Sequence, residues 1–167
     1  LHICPVQAGD CVFVPAGTVH ALGPGILLAE IQQQSNQTFR LYDWGRLDAS
    51  GRPRPLHVEE SLRCTDFSGG PVNPVVPVPL CDQEHSFEEL VRCDYFVLRR
   101  HESLHDFSLV SDDRFRILMT LSGSGLVRTS TGSEQLRLGG TVLLPACCEA
   151  IRIQPAQRLQ LLEITCP

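Results

Sequence analysis

The sequence has no basic run. Acidic residues outnumber Lys and Arg by 19 to 14 in 167 residues, and without a positive stripe the electrostatic footprint of a nucleic-acid binder is missing. No apolar stretch approaches the ~20 residues of a membrane-crossing helix, because Gly, Pro or a charge interrupts every one, and no signal-peptide pattern opens the chain. The expectation is a soluble, cytoplasmic protein with neither nucleic acid nor membrane as a partner. The eight cysteines include no C-x-x-C pair and sit mostly in apolar runs, which reads as buried thiols in a reducing compartment. An initiator Met is also lacking. The opening Leu1-His2-Ile3-Cys4-Pro5-Val6 reads as the interior of a strand and suggests further residues upstream.

Helical periodicity is scarce. Residues 86–91, opened by Ser86, and residues 58–62 suit short helical turns, neither of typical helix length. What fills the chain instead is strand grammar: short apolar runs at residues 11–14, 26–31, 39–42, 95–98, 115–121, 141–144 and 159–164, punctuated by Gly, Pro, Asn and Asp. The run at 159–164 is apolar on both faces, as a strand in a sandwich core would be. Between residues 66 and 85 the composition turns to Gly69-Gly70-Pro71 and then Pro74, Pro77 and Pro79 among valines. Such a segment makes an extended connector or an edge strand. The expected division is therefore residues 1–65, a connector at 66–85, and residues 86–167. The spacing Gly9-x5-Pro15 returns as Gly139-x5-Pro145, so two copies of one β-unit are plausible.

The stretch that points to chemistry is Gly9-Asp10-Cys11-Val12-Phe13-Val14-Pro15-Ala16-Gly17-Thr18-Val19-His20, of the form G-x5-P-x-G-x2-H. A strand ending at Pro15, a tight turn at Gly17 and a returning segment at His20 would present an imidazole at a concave mouth. A neutral imidazole on a rigid support is the commonest metal ligand. Alone, a histidine between Val19 and Ala21 is more often an ordinary surface or core residue.

The pattern matches the second motif of the cupin superfamily. Downstream, Glu30-Ile31-Gln32-Gln33-Gln34-Ser35-Asn36-Gln37-Thr38-Phe39-Arg40-Leu41-Tyr42-Asp43-Trp44-Gly45-Arg46 and Gly51-Arg52-Pro53-Arg54-Pro55-Leu56-His57 resemble type I mannose-6-phosphate isomerase of the short bacterial kind. The resemblance is close over residues 1–65 and looser over 86–167. It implies a mainly β protein: an incomplete cupin or jelly-roll barrel in residues 1–65, followed by a second, small jelly-roll-like β-domain in 86–167. It also implies a zinc-dependent aldose-ketose isomerase acting on a phosphosugar, mannose 6-phosphate and fructose 6-phosphate. His20 falls on the family's later zinc-binding histidine. The Gln- or Lys-x-His pair and the glutamate that complete the family's site would lie in a preceding part of the barrel, so the chain alone is expected to be inactive.

The family's active-site arginine falls on Arg40, whose guanidinium suits the negative charge of an enediolate. Its plain alternative is a surface ion pair. Glu30 is a candidate general base or hydroxyl acceptor, weighed evenly against a rim carboxylate. Arg46 is a candidate phosphate contact, although an ordinary surface arginine is the simpler reading. His57 reads better as packing beneath the connector than as lining the same mouth, and Tyr42 and Trp44 as core or pocket wall.

In the second copy Cys147 and Ala150 stand where Gly17 and His20 stand in the first, so no metal is expected there by that route. Cys147 and Cys148 read as structural thiols, and the four-residue spacing of His101 and His105 falls in strand and loop, which does not suit a metal pair. Two rival readings remain. One is a non-catalytic, sugar-binding or regulatory cupin, and the other is the cupin isomerase half of a bifunctional sugar nucleotidyltransferase.

Overall fold

In the computed structural model, residues 2–82 and 85–167 are described. Leu1, which opens the strand-like N-terminal run, and Gln83 and Glu84 of the expected connector lie outside them. By their contacts the residues form two units: Leu1–Val6 with Val12–Asn73, and Gln7–Cys11 with Pro74–Pro167.

The second unit is a two-sheet antiparallel β structure. Its strands are β1 (Val78–Cys81), β2 (Ser86–Arg92), β3 (Val97–Ser103), β4 (Phe107–Ser108), β5 (Arg116–Ser122), β6 (Ser124–Thr129), β7 (Gly132–Arg137), β8 (Thr141–Leu144), β9 (Arg152–Pro155) and β10 (Leu159–Thr165). One sheet has the order β1-β2-β3-β10-β5-β8 and the other β4-β9-β6-β7. The doubly apolar run becomes β10, placed between β3 and β5 with Leu161 opposite both His101 and Thr120. A strand paired on both edges and covered on both faces is where such a sequence belongs. The core joins both sheets: Phe107, Leu118, Val127, Leu136, Leu144, Ile151, Ile153, Leu159 and Leu161 form one buried cluster.

The proline segment supplies β1, with Pro79 in it, at the outer edge of the larger sheet. A residue without an N–H is tolerated there because, among the described residues, β1 has a strand on one side only. The helical turn expected at Ser86 does not form; those residues are β2, laddered to β1 and β3. A helix of that length gains too little from its own hydrogen bonds to compete with two ladders.

The first unit is built differently. Among its described residues it holds the helix α1 (Val58–Cys64), where a short turn is expected, and an isolated bridge between Leu47 and Pro53. The runs at residues 26–31 and 39–42 form no ladder. Ile26, Leu27, Leu28, Phe39, Tyr42 and Trp44 are exposed. No closed barrel is present among the described residues. The buried side chains of this unit are polar, Asp43 and Ser61.

The turn after Pro15 and that after Pro145 share a backbone pattern. Thr18 N–H donates to Pro15 O at 3.1 Å and Cys148 N–H to Pro145 O at 3.0 Å. Gly9 and Gly139 both have positive φ, +98° and +73°. The spacing echo seen in sequence is thus an echo of geometry. Burial of the thiols is not: Cys64, Cys81 and Cys147 are exposed and the other five half-buried, all of them free. Cys147 and Cys148 sit in the turn rather than in the strand that leads to it.

Truncating the core should separate the interior from the surface. Ile153→Ala or Leu161→Ala, each at 0% exposure, should cost about 2–5 kcal/mol in urea unfolding. Leu27→Ala, fully exposed, should stay within about 0.5 kcal/mol of the parent.

Candidate functional site

The first unit holds its polar side chains by local hydrogen bonds. Gly17 has φ +88°, and a Cβ there would stand 2.9 Å from Cys64 O and 3.1 Å from Asp66 N, so only glycine fits. The turn is tied to the end of α1 through Asp66 N–H, which donates to Gly17 O at 3.0 Å. Asp66 itself caps Ser68 and Gly69 through Oδ1, and those donors, the Ser68 hydroxyl first, hold its carboxyl below the usual range.

His20 is exposed, and its Nδ1 lies 2.9 Å from Thr18 O. A carbonyl only accepts, so Nδ1 carries a hydrogen, and the tautomer this bond selects has its lone pair on Nε2. This is how a metal-ligating or proton-accepting imidazole is fixed in its tautomer.

Arg40 is anchored at both main-chain groups. Its N–H donates to His57 Nδ1 at 3.1 Å, and its carbonyl accepts the His57 N–H at 2.8 Å. The side chain donates from Nη1 to Pro55 O at 3.2 Å and lies 3.8 Å from Asp43 through Nε. His57 thus works in packing and capping: it precedes α1, and its carbonyl accepts the Ser61 hydroxyl at 2.6 Å.

Asp43 is the hub that sequence reasoning missed. Arg54 grips it with both Nε, at 2.7 Å, and Nη2. The hydrogen bond from Arg54 comes first, then the charges of Arg54, Arg40 and Arg46, and together they depress the carboxyl although partial burial opposes them. The signal was there: Asp43 and Arg54 lie in the two runs that carry the resemblance, but an acid between Tyr42 and Trp44 gives no hint of burial. Arg46 lies over the Trp44 ring, 5.4 Å from its centroid, and Trp44 meets Tyr42 edge-on at 5.4 Å. Both aromatics are exposed rather than core.

Arg40, Arg46 and Arg54 therefore gather around one carboxylate, leaving excess positive charge suited to an anion. Glu30 is exposed and takes no part in these bonds. Among the described residues no group of three or more His, Cys, Asp or Glu could hold a metal ion. The triplet Gln83-Glu84-His85 has the Q-x-H form that sequence reading passed over. Gln83 and Glu84 lie outside the described residues, and the His85 ring is bonded to His101.

Against this geometry the relatives can be set. The mannose-6-phosphate isomerase of Streptococcus mutans is 34% identical over 141 residues, 84% of this chain and 44% of that protein. The mannose-6-phosphate isomerase ManA of Bacillus subtilis is 32% identical over 150 residues. Over most of its own length the chain is similar to proteins named mannose-6-phosphate isomerase. It spans less than half the length of these isomerases, 44% in each case. A crystal structure of mannose 6-phosphate isomerase from Bacillus subtilis matches 78% of this chain and 40% of that one, with a TM-score of 0.66 at 23% identity; this is a likeness of fold. No protein-family model matches the chain.

Trp44, the single tryptophan, reports on the Asp43 hub next to it. A depressed carboxyl contributes stability above its ordinary value near ~3.9, lost as pH falls through the depressed one. Trp44 fluorescence should therefore change on strong acidification in the parent. In Asp43→Asn the acid step should vanish, with the altered signal already present at neutral pH.

Proposed function

We propose that this chain carries the His20 and Arg40 portion of a mannose-6-phosphate isomerase. Residues 1–65 belong to the catalytic barrel and 86–167 form the accompanying β-domain. The observation that carries the reading is the exposed His20 ring with Nδ1 bonded to Thr18 O, within a sequence 30–34% identical to proteins of that name.

Zinc is the metal of this proposal, and it would supply Lewis-acid polarisation of the sugar oxygens. The donor set limits it. A catalytic zinc normally takes three protein ligands, and the described residues offer one assignable nitrogen, on His20. They do not make a site by themselves, so the proposal takes the remaining ligands from protein outside the described residues.

Interconverting mannose 6-phosphate and fructose 6-phosphate moves a proton from C2 to C1 and one from O2 to O1, through an enediolate. Arg40 would meet the negative charge of that enediolate, and its two main-chain bonds to His57 fix where the guanidinium starts from. Arg46, free to leave the Trp44 face, would take the phosphate of the sugar. Glu30 is proposed as a hydroxyl acceptor or base, its exposure leaving it accessible. A non-catalytic sugar-binding protein is the second reading, favoured by the lone metal donor and by the Pro55 and Asp43 contacts that already occupy Arg40.

In the active isomerase Arg40→Ala should lower turnover by about two orders of magnitude, the scale for losing one oxyanion stabiliser, with metal content unchanged. The 167-residue chain alone should hold no stoichiometric zinc after dialysis and show no activity in a coupled mannose 6-phosphate assay. Stoichiometric zinc that disappears in His20→Ala would mean that this chain completes the site. Measurable activity would overturn the division of the site between this chain and other protein.

A further inference from the structure

Three arginines surround the one carboxylate of the first unit, and they share it unequally. Arg54 takes both Asp43 oxygens, Oδ2 from Nε at 2.7 Å and Oδ1 from Nη2. Arg40 faces the same Oδ1 from Nε at 3.8 Å, which is proximity of charge beyond hydrogen-bond length. Arg46 lays its guanidinium over the Trp44 ring instead.

The segment from Arg54 to His57 is folded around this arrangement. Arg54 grips Asp43, the Pro55 carbonyl accepts from Arg40 Nη1 at 3.2 Å, and His57 holds both main-chain groups of Arg40. The Pro55 bond occupies one of the five N–H groups of a guanidinium. Among the described residues the other four are uncommitted, including the Nε–H that faces Asp43.

A carboxylate and a guanidinium this close ordinarily shut on each other, because paired N–H···O bonds are the geometry both favour. Here they stay apart, and both oxygens of Asp43 are already taken. Without Arg54 the buried Asp43 would carry a charge with no bonded partner, a costly state, and Arg40 stands within reach to relieve it. A closed Arg40–Asp43 pair would cancel the charge of Arg40 and occupy the donors that an oxyanion needs. We infer that Arg54 is a positioning residue: by occupying both oxygens of Asp43 it keeps that carboxylate from capturing Arg40, and so leaves the Arg40 guanidinium open to an anionic sugar intermediate. The role in turnover rests on the isomerase reading of Arg40; the capture does not.

The capture is read in the 167-residue chain by ¹⁵N NMR of the arginine Nε–H groups. In the parent the Arg54 Nε–H should exchange slowly and the Arg40 Nε–H fast. In Arg54→Met the Arg40 signal should move downfield and its exchange slow by about tenfold, and adding Asp43→Asn should return both toward the parent. Arg54→Lys keeps the charge but cannot cover both oxygens, so it should give an intermediate shift, and it stands in if Arg54→Met does not fold. The Asp66 amide, bonded to Gly17 O, certifies the fold of the unit.

In the active isomerase Arg54→Met should lower kcat by about tenfold, less than the loss of Arg40 itself, with KM changed by less than about threefold. Asp43→Asn added to Arg54→Met should recover most of that loss, whereas a purely structural Arg54 would give additive damage. An Arg40 Nε–H unchanged in both Arg54 variants, or a double variant no faster than Arg54→Met, would overturn the inference. Normal turnover in Arg40→Ala would overturn it through the functional reading, and is told apart because the capture would still be seen by NMR.

Discussion

A carboxylate inside a sheet is costly unless its surroundings answer it, and Glu163 sits at 2% exposure in the strand at the centre of the larger sheet. Burial alone pushes its carboxyl up. The hydrogen bond from His101 and the charges of His101, Arg116 and Arg99 outweigh that and hold it below the usual range. Register makes the arrangement possible: β10 places Glu163 directly opposite Arg99 on β3. On β5 its opposite number is Leu118, and Thr165 faces Arg116. Three strands are thus bound to one ionised group, each through a residue on the same inner face. An ion pair of this kind fixes register more surely than it adds net stability.

The first unit uses the same device without a core behind it. Asp43 is its buried carboxylate and Arg54 its bidentate partner, but the apolar side chains nearby face outward. Its candidate site is consequently defined by short-range bonds: His20 to Thr18, Arg40 to His57, Gly17 to Asp66. Bonds of that kind settle tautomers and rotamers within a few residues of each group. Assembling a catalytic pocket from them takes a further surface that packs against the exposed Ile26, Leu28 and Phe39, which the proposed division of the site would supply.

What the sequence made legible is what depends on near neighbours. The apolar run that became β10, the edge proline of β1, the short helix after His57, the glycine demanded at position 17 and the paired Gly-x5-Pro turns all follow from local pattern. The segment Ser86–Arg92 was misread because its helical turn signal is local, while the two ladders that make it β2 are not. The runs at 26–31 and 39–42 have strand composition, but a strand needs a partner edge, and composition cannot supply one. The Glu163 network was hidden for the same reason: an acid between Leu162 and Ile164 signals something unusual, yet its partners lie 47 and 62 residues away along the chain. In the candidate site, His20 and Arg40 were found through motif resemblance, whereas the Asp43–Arg54 pair emerged only from side-chain geometry.

The dependence of the second unit on an ionised Glu163 is tested most directly by the unfolding free energy of Glu163→Gln against the parent, measured in urea from neutral to acid pH. The amide cannot neutralise Arg116, so near neutrality the variant should be less stable by about 3 kcal/mol or more, the scale for breaking a buried pair. Because the carboxyl is depressed in the folded protein, its contribution is present above the ordinary carboxylate value and lost as pH falls through the depressed one. The difference should therefore narrow in acid. A variant as stable as the parent at neutral pH, or a difference that widens on acidification, would contradict the account.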